Sequence, residues 1–176
     1  IIGPSGTRAF VEALLAAYRP GREALARALP LPDEGIRVEV VEVGDVFQAD
    51  WDGLSVSAVT LSGGPTPGLA WRFEAGGRTV VVGGVGWGKE QFIAFAKGAN
   101  MLVHEAAYVP PPEDIEAAGI LADPERLRRE GELHTSLLDI GELARRAGVE
   151  TLVLIRLRPP PFYDIQVTNH VDNTFS

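Results

Sequence analysis

Three short runs with unbroken apolar centres constrain this chain most: RTVVV at residues 78–82, NMLVHE at 100–105 and TLVLI at 151–155. A run of that length without polar alternation suits a strand covered on both faces, as in sheets that carry helices as layers. Helix-like passages separate the three. QFIAFAKG follows the first and HTSLLDIGELARRAGV precedes the third. Upstream the period changes: RVEVVEVG alternates apolar and charged residues over Val38 to Val43, the pattern of a half-buried strand. SVSAVTLS (55–62) and LAWRFE (69–74) read as further strands joined by the turn-rich GGPTPG, with AGG (75–77) as the next hairpin turn. Antiparallel hairpins beside βαβ-like passages predict an α/β or α+β fold built on one mixed sheet with helices on at least one face.

The helical signals differ in strength. After IIGPSGT, a strand end turning through Gly3, Pro4 and Gly6, a helix is expected to present Phe10, Leu14 and Leu15 on one face. A second short helix is expected to start near Pro20 and to stop at the PLP that follows. HTSLLDIGELARRAGV is the clearest case. Ser136 stands as N-cap with Asp139 three residues on, Leu137, Ile140, Leu143 and Ala144 form the apolar face, and Gly148 closes the helix. Residues 110–132 are Pro-rich and acidic with little apolar period, and they read as a mobile lid or partner surface.

A length of 176 residues suits a single domain spanning 1–176, and no apolar run approaches the roughly 20 residues a membrane span needs. With 16 basic and 24 acidic residues the formal charge is −8, which disfavours nucleic acid and anionic lipid and favours a small molecule or a protein partner. The absence of cysteine excludes disulfides, thiolate zinc sites and cysteine nucleophiles; it leaves the redox compartment open, with the cytoplasm as the default. The chain opens at Ile1 without an initiator Met or a signal pattern and reads as one that begins in mid-fold.

GGVGWGKE (83–90) follows the first apolar run and matches the outline of a phosphate loop. The chemistry does not follow the outline. A phosphate loop needs Ser or Thr directly after its lysine to ligate magnesium, whereas this chain has Glu90, a carboxylate that would repel phosphate, and carries the bulk of Trp87 inside the loop. The plain reading is a turn before a helix. A serine nucleophile is equally unsupported, since there is no G-x-S-x-G elbow and Ser5 lies in a helix-start turn without a neighbouring His.

Four segments together carry a resemblance: GPSGTRAFVEALL, GLAWRFEAGGRTVVVGG, AKGANMLVHEAAY and LHTSLLDIGELARRAGVETLVLIRLRPP. In this order and spacing they resemble the later part of metallo-β-lactamase-fold hydrolases, in particular the ribonuclease Z and arylsulfatase-like branch, over residues 1 to about 162. The resemblance implies an αββα-type fold, apparently lacking its first part, and descent from ester or phosphodiester hydrolases. It also implies zinc as the family's cofactor, since two bound metals lower the pKa of a bridging water for attack on an ester. The motif H-x-H-x-D-H of the family's first half is absent. Matched to the family's later ligand positions are Ser62 to Gly64, Val85 and Arg156. Valine has no lone pair to give and a guanidinium repels a divalent cation, so no zinc is expected as the chain stands.

The resemblance implies further that His134 acts near the substrate's phosphate as a proton donor, oriented by an acidic neighbour for which Glu105 is the candidate. Independently of it, His134 directly precedes a capped helix start, with Thr135 and Ser136, where free N–H groups favour an anion. The bland alternative is a loop histidine beside a cap. His104, at the end of an apolar run, is more simply a locally hydrogen-bonded core residue, and His170 has no supporting neighbours. Arg156 and Arg158 could form an anion pocket in place of the metals, or be a solvent-facing or salt-bridged pair. Two functions are expected from these residues: a hydrolase relative with a degraded metal site, inactive or weakly active on an anionic ester, or a binding or scaffolding protein. In the second case the chain would self-associate or pair with another chain that supplies the missing half, because a half-sandwich leaves an apolar sheet face to cover.

Overall fold

The computed structural model describes residues 1–29, 37–61, 68–83, 89–108, 123–158, 167, 171, 172, 174 and 175. They form two compact units, Ile1–Asp45 and Val46–Ser176.

In the first unit, β1 (Ile2–Gly3) pairs in parallel with β2 (Val41–Glu42), and α1 (Thr7–Ala28) lies between them in sequence. Gly6 at the helix start has no side chain with which to cap it. Glu42 does so from the neighbouring strand: its Oε1 accepts the backbone N–H groups of Gly6 and Arg8, each at 2.9 Å. A carboxylate at a helix N-terminus satisfies orphan donors and complements the dipole. Two expectations fail here. The helix runs through Pro20 as one element. Pro20 cannot donate to the Ala16 carbonyl, but that side of the chain is exposed, so water can take the bond, and the strong helix formers on either side continue the helix. Nor do Phe10 and Leu14 face a core: Val11 is the buried residue of α1, whereas Phe10 is 67% exposed. The strand expected over Val38 to Val43 shortens to Val41–Glu42, the length over which β1 offers a partner.

The second unit is a six-stranded sheet in the order β3-β4-β5-β6-β7-β8. Its strands are β3 (Val46–Trp51), β4 (Leu54–Leu61), β5 (Gly68–Ala75), β6 (Arg78–Val82), β7 (Met101–Ala107) and β8 (Thr151–Arg158). β3 to β6 are antiparallel, and β6, β7 and β8 run parallel, so the sheet is mixed as the sequence predicts. β3 escaped the sequence reading, although its turn carries a plain signal. Asp52 and Gly53 have φ of 53° and 84°, the pair of left-handed residues that a two-residue type I′ hairpin requires.

Parallel neighbours need crossovers, and helices supply them. α2 (Lys89–Ala96) joins β6 to β7, while α3 (Pro124–Glu132) and α4 (Leu137–Ala147) lie between β7 and β8. One sheet face and the helices α2 and α4 share a core of Leu61, Val81, Phe92, Leu102, Ile140 and Ala144 with their neighbours. Burying a Leu or Ile side chain of this kind stabilises by about 1.5–3 kcal/mol. α4 matches its prediction: Leu137, Ile140, Leu143 and Ala144 are all buried. Its C-terminus closes with Gly148 at φ 66°, as Val149 N–H reaches the Ala144 carbonyl at 3.1 Å and Gly148 N–H that of Arg145 at 3.0 Å. These are the two bonds of a Schellman stop. Arg72 reaches from β5 to close α2, donating to the carbonyls of Phe95 (3.1 Å) and Lys97 (3.3 Å).

The central strands are covered less evenly than expected. Val81 and Leu102 face the helices and are buried, while Val80, Val82, Met101 and Val103 point to the other side of the sheet and are half-buried. That second face carries a contiguous aromatic set, with Trp71 6.1 Å from Phe47 and 6.3 Å from Phe73 between ring centroids. The segment expected as a lid at 110–132 is described only in part. Residues 109–122 lie outside the described residues, and Pro124–Glu132 is a helix. Asp123 caps it by accepting Glu125 N–H at 3.0 Å, and Arg129 pairs with Glu125 one turn earlier. Asp-Pro-Glu is an N-terminal signature that a search for apolar period passes over.

Candidate active site at the C-terminal end of the parallel strands

The parallel strands β6, β7 and β8 end side by side, and the chain leaves them toward residues 84–88, 109–122 and 159–166. At this end β7 changes neighbour. Gly83 N–H still bonds the Val103 carbonyl at 2.8 Å, but beyond it residues 135 and 136 run beside β7. Ala107 N–H bonds the Thr135 carbonyl at 2.8 Å, and Ala107 bridges to Ser136. Alternation then sends His104 and Glu105 to opposite faces.

His104 goes to the helix side. It is 2% exposed, meets Phe92 edge to face at 5.0 Å, and donates Nδ1–H to the Glu105 carbonyl at 2.6 Å. Burial pushes its pKa below the usual histidine range, against the smaller opposing effect of the Glu105 carbonyl and carboxylate. Gly83 is fitted to this ring, because a Cβ there would lie 2.0 Å from His104 Cδ2. His104 is thus a packed, neutral core histidine, in line with the plain reading of it.

Glu105 is the centre of the arrangement. It is 3% exposed, and both carboxylate oxygens are engaged. Oε2 lies 2.5 Å from His134 Nδ1 and Oε1 accepts Thr135 N–H at 3.1 Å. A carboxylate that accepts at Nδ1 fixes the imidazole plane and leaves Nε2 as the ring's outward nitrogen, the chemistry of an oriented proton carrier. His134 keeps 13% side-chain exposure, so the ring is held but reachable. The pairing of His134 with Glu105 across 29 residues of sequence is the one expected from the resemblance, and Thr135 joins it through its backbone. Ser136 contributes the carbonyl that accepts Asp139 and Ile140 N–H at the start of α4.

On the other side of β7, β8 pairs in register from Met101↔Thr151 to Glu105↔Ile155 and then shifts, so that Ala107 opposes Arg158. Two residues of β8, Arg156 and Leu157, stand against the single Ala106, and Arg156 takes the left-handed φ of 51°. A bulge of this kind re-aims the strand end. Arg156 is exposed; the side chain of Arg158 lies outside the described residues, as do Val85, Ser62 to Gly64 and His170.

The lysine that suggests a phosphate loop and the glutamate that argues against one both have another use. Lys89 Nζ lies 2.6 Å from Asp139 Oδ2, and Glu90 takes both its oxygens to Arg146 Nη2 at 2.8 and 2.7 Å. Both pairs tie α2 to α4.

No family model matches the chain. Among curated proteins it is 36% identical over 163 residues to a ribonuclease Z of Mycobacterium sp. (strain KMS), covering 91% of this chain and 54% of that protein. It is 31% identical over 163 residues to a putative ribonuclease Z of Mycobacterium tuberculosis (strain CDC 1551 / Oshkosh), covering 90% of this chain and 68% of that one. The chain belongs to the ribonuclease Z family. It spans about half the length of the first of these relatives (54%). Two solved structures share the metallo-β-lactamase fold. One is the Bacillus subtilis metallo-β-lactamase fold protein YhfI, with a TM-score of 0.57, 20% identity and coverage of 78% of this chain and 50% of that one. The other is the human short-form tRNase Z, ELAC1, with a TM-score of 0.55, 17% identity and coverage of 89% and 59%. At these identities the likeness is one of fold. Tested against the zinc of metallo-β-lactamase hydrolases, the described residues do not fit a metal centre. Among them no group of three or more His, Asp or Glu could hold an ion; His104 is turned into the core, His134 Nδ1 is taken by Glu105, and Arg156 brings positive charge to the end of β8.

Proposed function

We propose that this ribonuclease Z relative retains the proton-handling part of an ester or phosphodiester site and uses it, without zinc, to bind an anionic ester or oxyanion. The supporting observation is the Glu105–His134 pair: a buried carboxylate with both oxygens occupied, orienting a partly exposed imidazole. An anion at His134 Nε2 would meet, once the ring has taken up a proton, an imidazolium that donates Nε2–H to it while Glu105 at Nδ1 stabilises that cation; passing the Nε2 proton to the ligand returns the ring to neutral. Arg156, and Arg158 two residues on, would hold the charge of the ligand where the family places metal. With that charge coming from guanidinium groups and no activated water, hydrolysis is weak or absent and binding is what survives.

The test is titration of the purified chain with inorganic phosphate and with bis(p-nitrophenyl) phosphate, followed by NMR at the His134 ring, alongside turnover assays with and without zinc or manganese. Saturable shifts at His134 that vanish in Arg156→Glu support the reading. A His134 ring indifferent to both ligands, or metal-dependent turnover, overturns it. A second reading, a scaffold that pairs with another chain, is favoured by the half-buried apolar sheet face bearing Trp71 and Phe73; it predicts a stable complex in which His134→Ala changes nothing.

A further inference from the structure

Strand β3 closes one side of the six-stranded sheet, and among the described residues it pairs with β4 alone. Trp51 and Leu54 flank the two-residue turn and so exchange both backbone bonds; alternation then turns Ala49 and Phe47 toward β4 as well. The N–H and C=O groups of Val46, Gln48 and Asp50 therefore point out of the sheet. Natural proteins blunt such edges with lysine, proline or a bulge. β3 has none of the three over Val46–Trp51, and its register with β4 is unbroken. Val46 is 59% and Trp51 49% exposed.

The two faces beside this edge differ in chemistry. Pairing lines up Gln48, Ser57 and Arg72 with the buried Val81, which places the side chains of Gln48 and Asp50 on the helix-bearing side. There a concavity of about 440 Å³ is lined by Gln48, Asp50, Ser55, Ser57 and Glu74. Glu74 is neutralised by Arg72 at 3.0 Å. Asp50 accepts Gly53 N–H (3.4 Å) and the Ser55 hydroxyl (3.1 Å), and among the described residues no cation pairs with it. Asp45 and Asp52 flank the strand, so residues 45–52 carry three carboxylates and no cation. The other face is apolar: the Phe47 ring lies 6.4 Å from that of Trp51 and 6.1 Å from that of Trp71.

We infer that the β3 edge takes an added antiparallel strand from a partner protein, an extended segment in which basic and apolar residues alternate. The outward groups of Val46, Gln48 and Asp50 supply the main-chain bonds, and the side chains that flank them supply the choice of sequence. Residues of the segment that bond to these three share their side of the sheet, so a lysine or arginine there meets Asp50 and the concavity. The apolar residues between them fall on the other side, against Phe47 and Trp51. A second copy of β3 is the poorer occupant, because two strands that each bring three carboxylates and no cation repel one another. This inference does not rest on the proposed ligand.

The experiment is titration of the full chain with a capped peptide of alternating lysine and valine, about eight residues long to match the strand, followed by calorimetry and by amide hydrogen exchange. In the chain alone the amides of Val46, Gln48 and Asp50 should exchange freely, and saturating peptide should slow them at least about tenfold. N-methylation of the lysine amides of the peptide should abolish binding, whereas N-methylation of the valine amides, which point away from β3, should leave it intact. Gln48→Pro removes one outward donor and no bond to β4, so it should weaken binding at least about tenfold with circular dichroism unchanged. Asp50→Lys, a change at an exposed position, should weaken it as much by placing like charges side by side. Amides already protected in the dilute chain, equal binding of the corresponding glutamate and valine peptide, or binding indifferent to lysine N-methylation or to Gln48→Pro overturns the inference. So does protection that grows with the concentration of the chain itself, which would assign the edge to a second copy.

Discussion

Replacing Glu105 by glutamine tests the site at its centre. The carboxylate is 3% exposed and accepts from His134 Nδ1 at 2.5 Å and Thr135 N at 3.1 Å. Glutamine keeps the shape and one acceptor. If its oxygen stays with Thr135, its amide faces His134, and the charge-assisted bond to the ring is replaced by a donor meeting a donor unless the imidazole changes tautomer. Loss of one such bond costs about 1.5–3 kcal/mol, which in urea moves the unfolding midpoint by roughly 1 M. Alanine strands both donors in a buried place and costs about 3–5 kcal/mol. The assay pairs urea unfolding with nitrogen chemical shifts of the His134 ring. In the wild type the proton should sit on Nδ1, and in Glu105→Gln it should move to Nε2. Stability within about 0.5 kcal/mol of wild type, the range of ordinary surface changes, together with an unmoved proton would refute the reasoning.

Other substitutions separate structural from functional roles. Gly83→Ala drives a methyl to 2.0 Å from His104 Cδ2 and should destabilise by about 1–3 kcal/mol through overpacking, read as a lower melting temperature; a variant that also shrinks His104 to alanine should regain part of the loss. His104 is held neutral by burial, so its folded pKa lies below the ordinary 6.5. Its contribution to stability is therefore complete above that value and is lost as pH falls from there through the folded pKa, because the unfolded chain takes up the proton first. Urea unfolding across pH 7.5 to about 5 should show that decline, and His104→Asn should flatten it. Arg146→Ala removes the bidentate pair to Glu90 between exposed side chains and should cost no more than about 1 kcal/mol, fading with added salt in the same assay.

What could be read from residues alone follows from where each signal originates. α4 was legible because its apolar spacing and its stop are local and agree. The parallel strands were legible from their apolar runs. α1 was misread because Pro20 and the spacing of Phe10 and Leu14 say only that a helix is broken or amphipathic; whether a core meets its face depends on packing no local pattern contains. α3 was missed because its helix signal lies in Asp123 and Pro124, with no apolar stripe. At the site, the pairing of Glu105 with His134 came from the family likeness, since residues 29 apart have no local reason to meet. The bulge at Arg156 had no sequence signal, as a left-handed arginine looks like any other arginine.

The central claim is that the proton-handling pair has outlived the metals. It is tested most directly by elemental analysis of the chain dialysed against zinc and then against metal-free buffer, with His134→Ala and Arg156→His in parallel. Retained zinc far below one ion per chain in the wild type, unchanged in His134→Ala and raised in Arg156→His, is the predicted result. Two zinc ions per wild-type chain would contradict it.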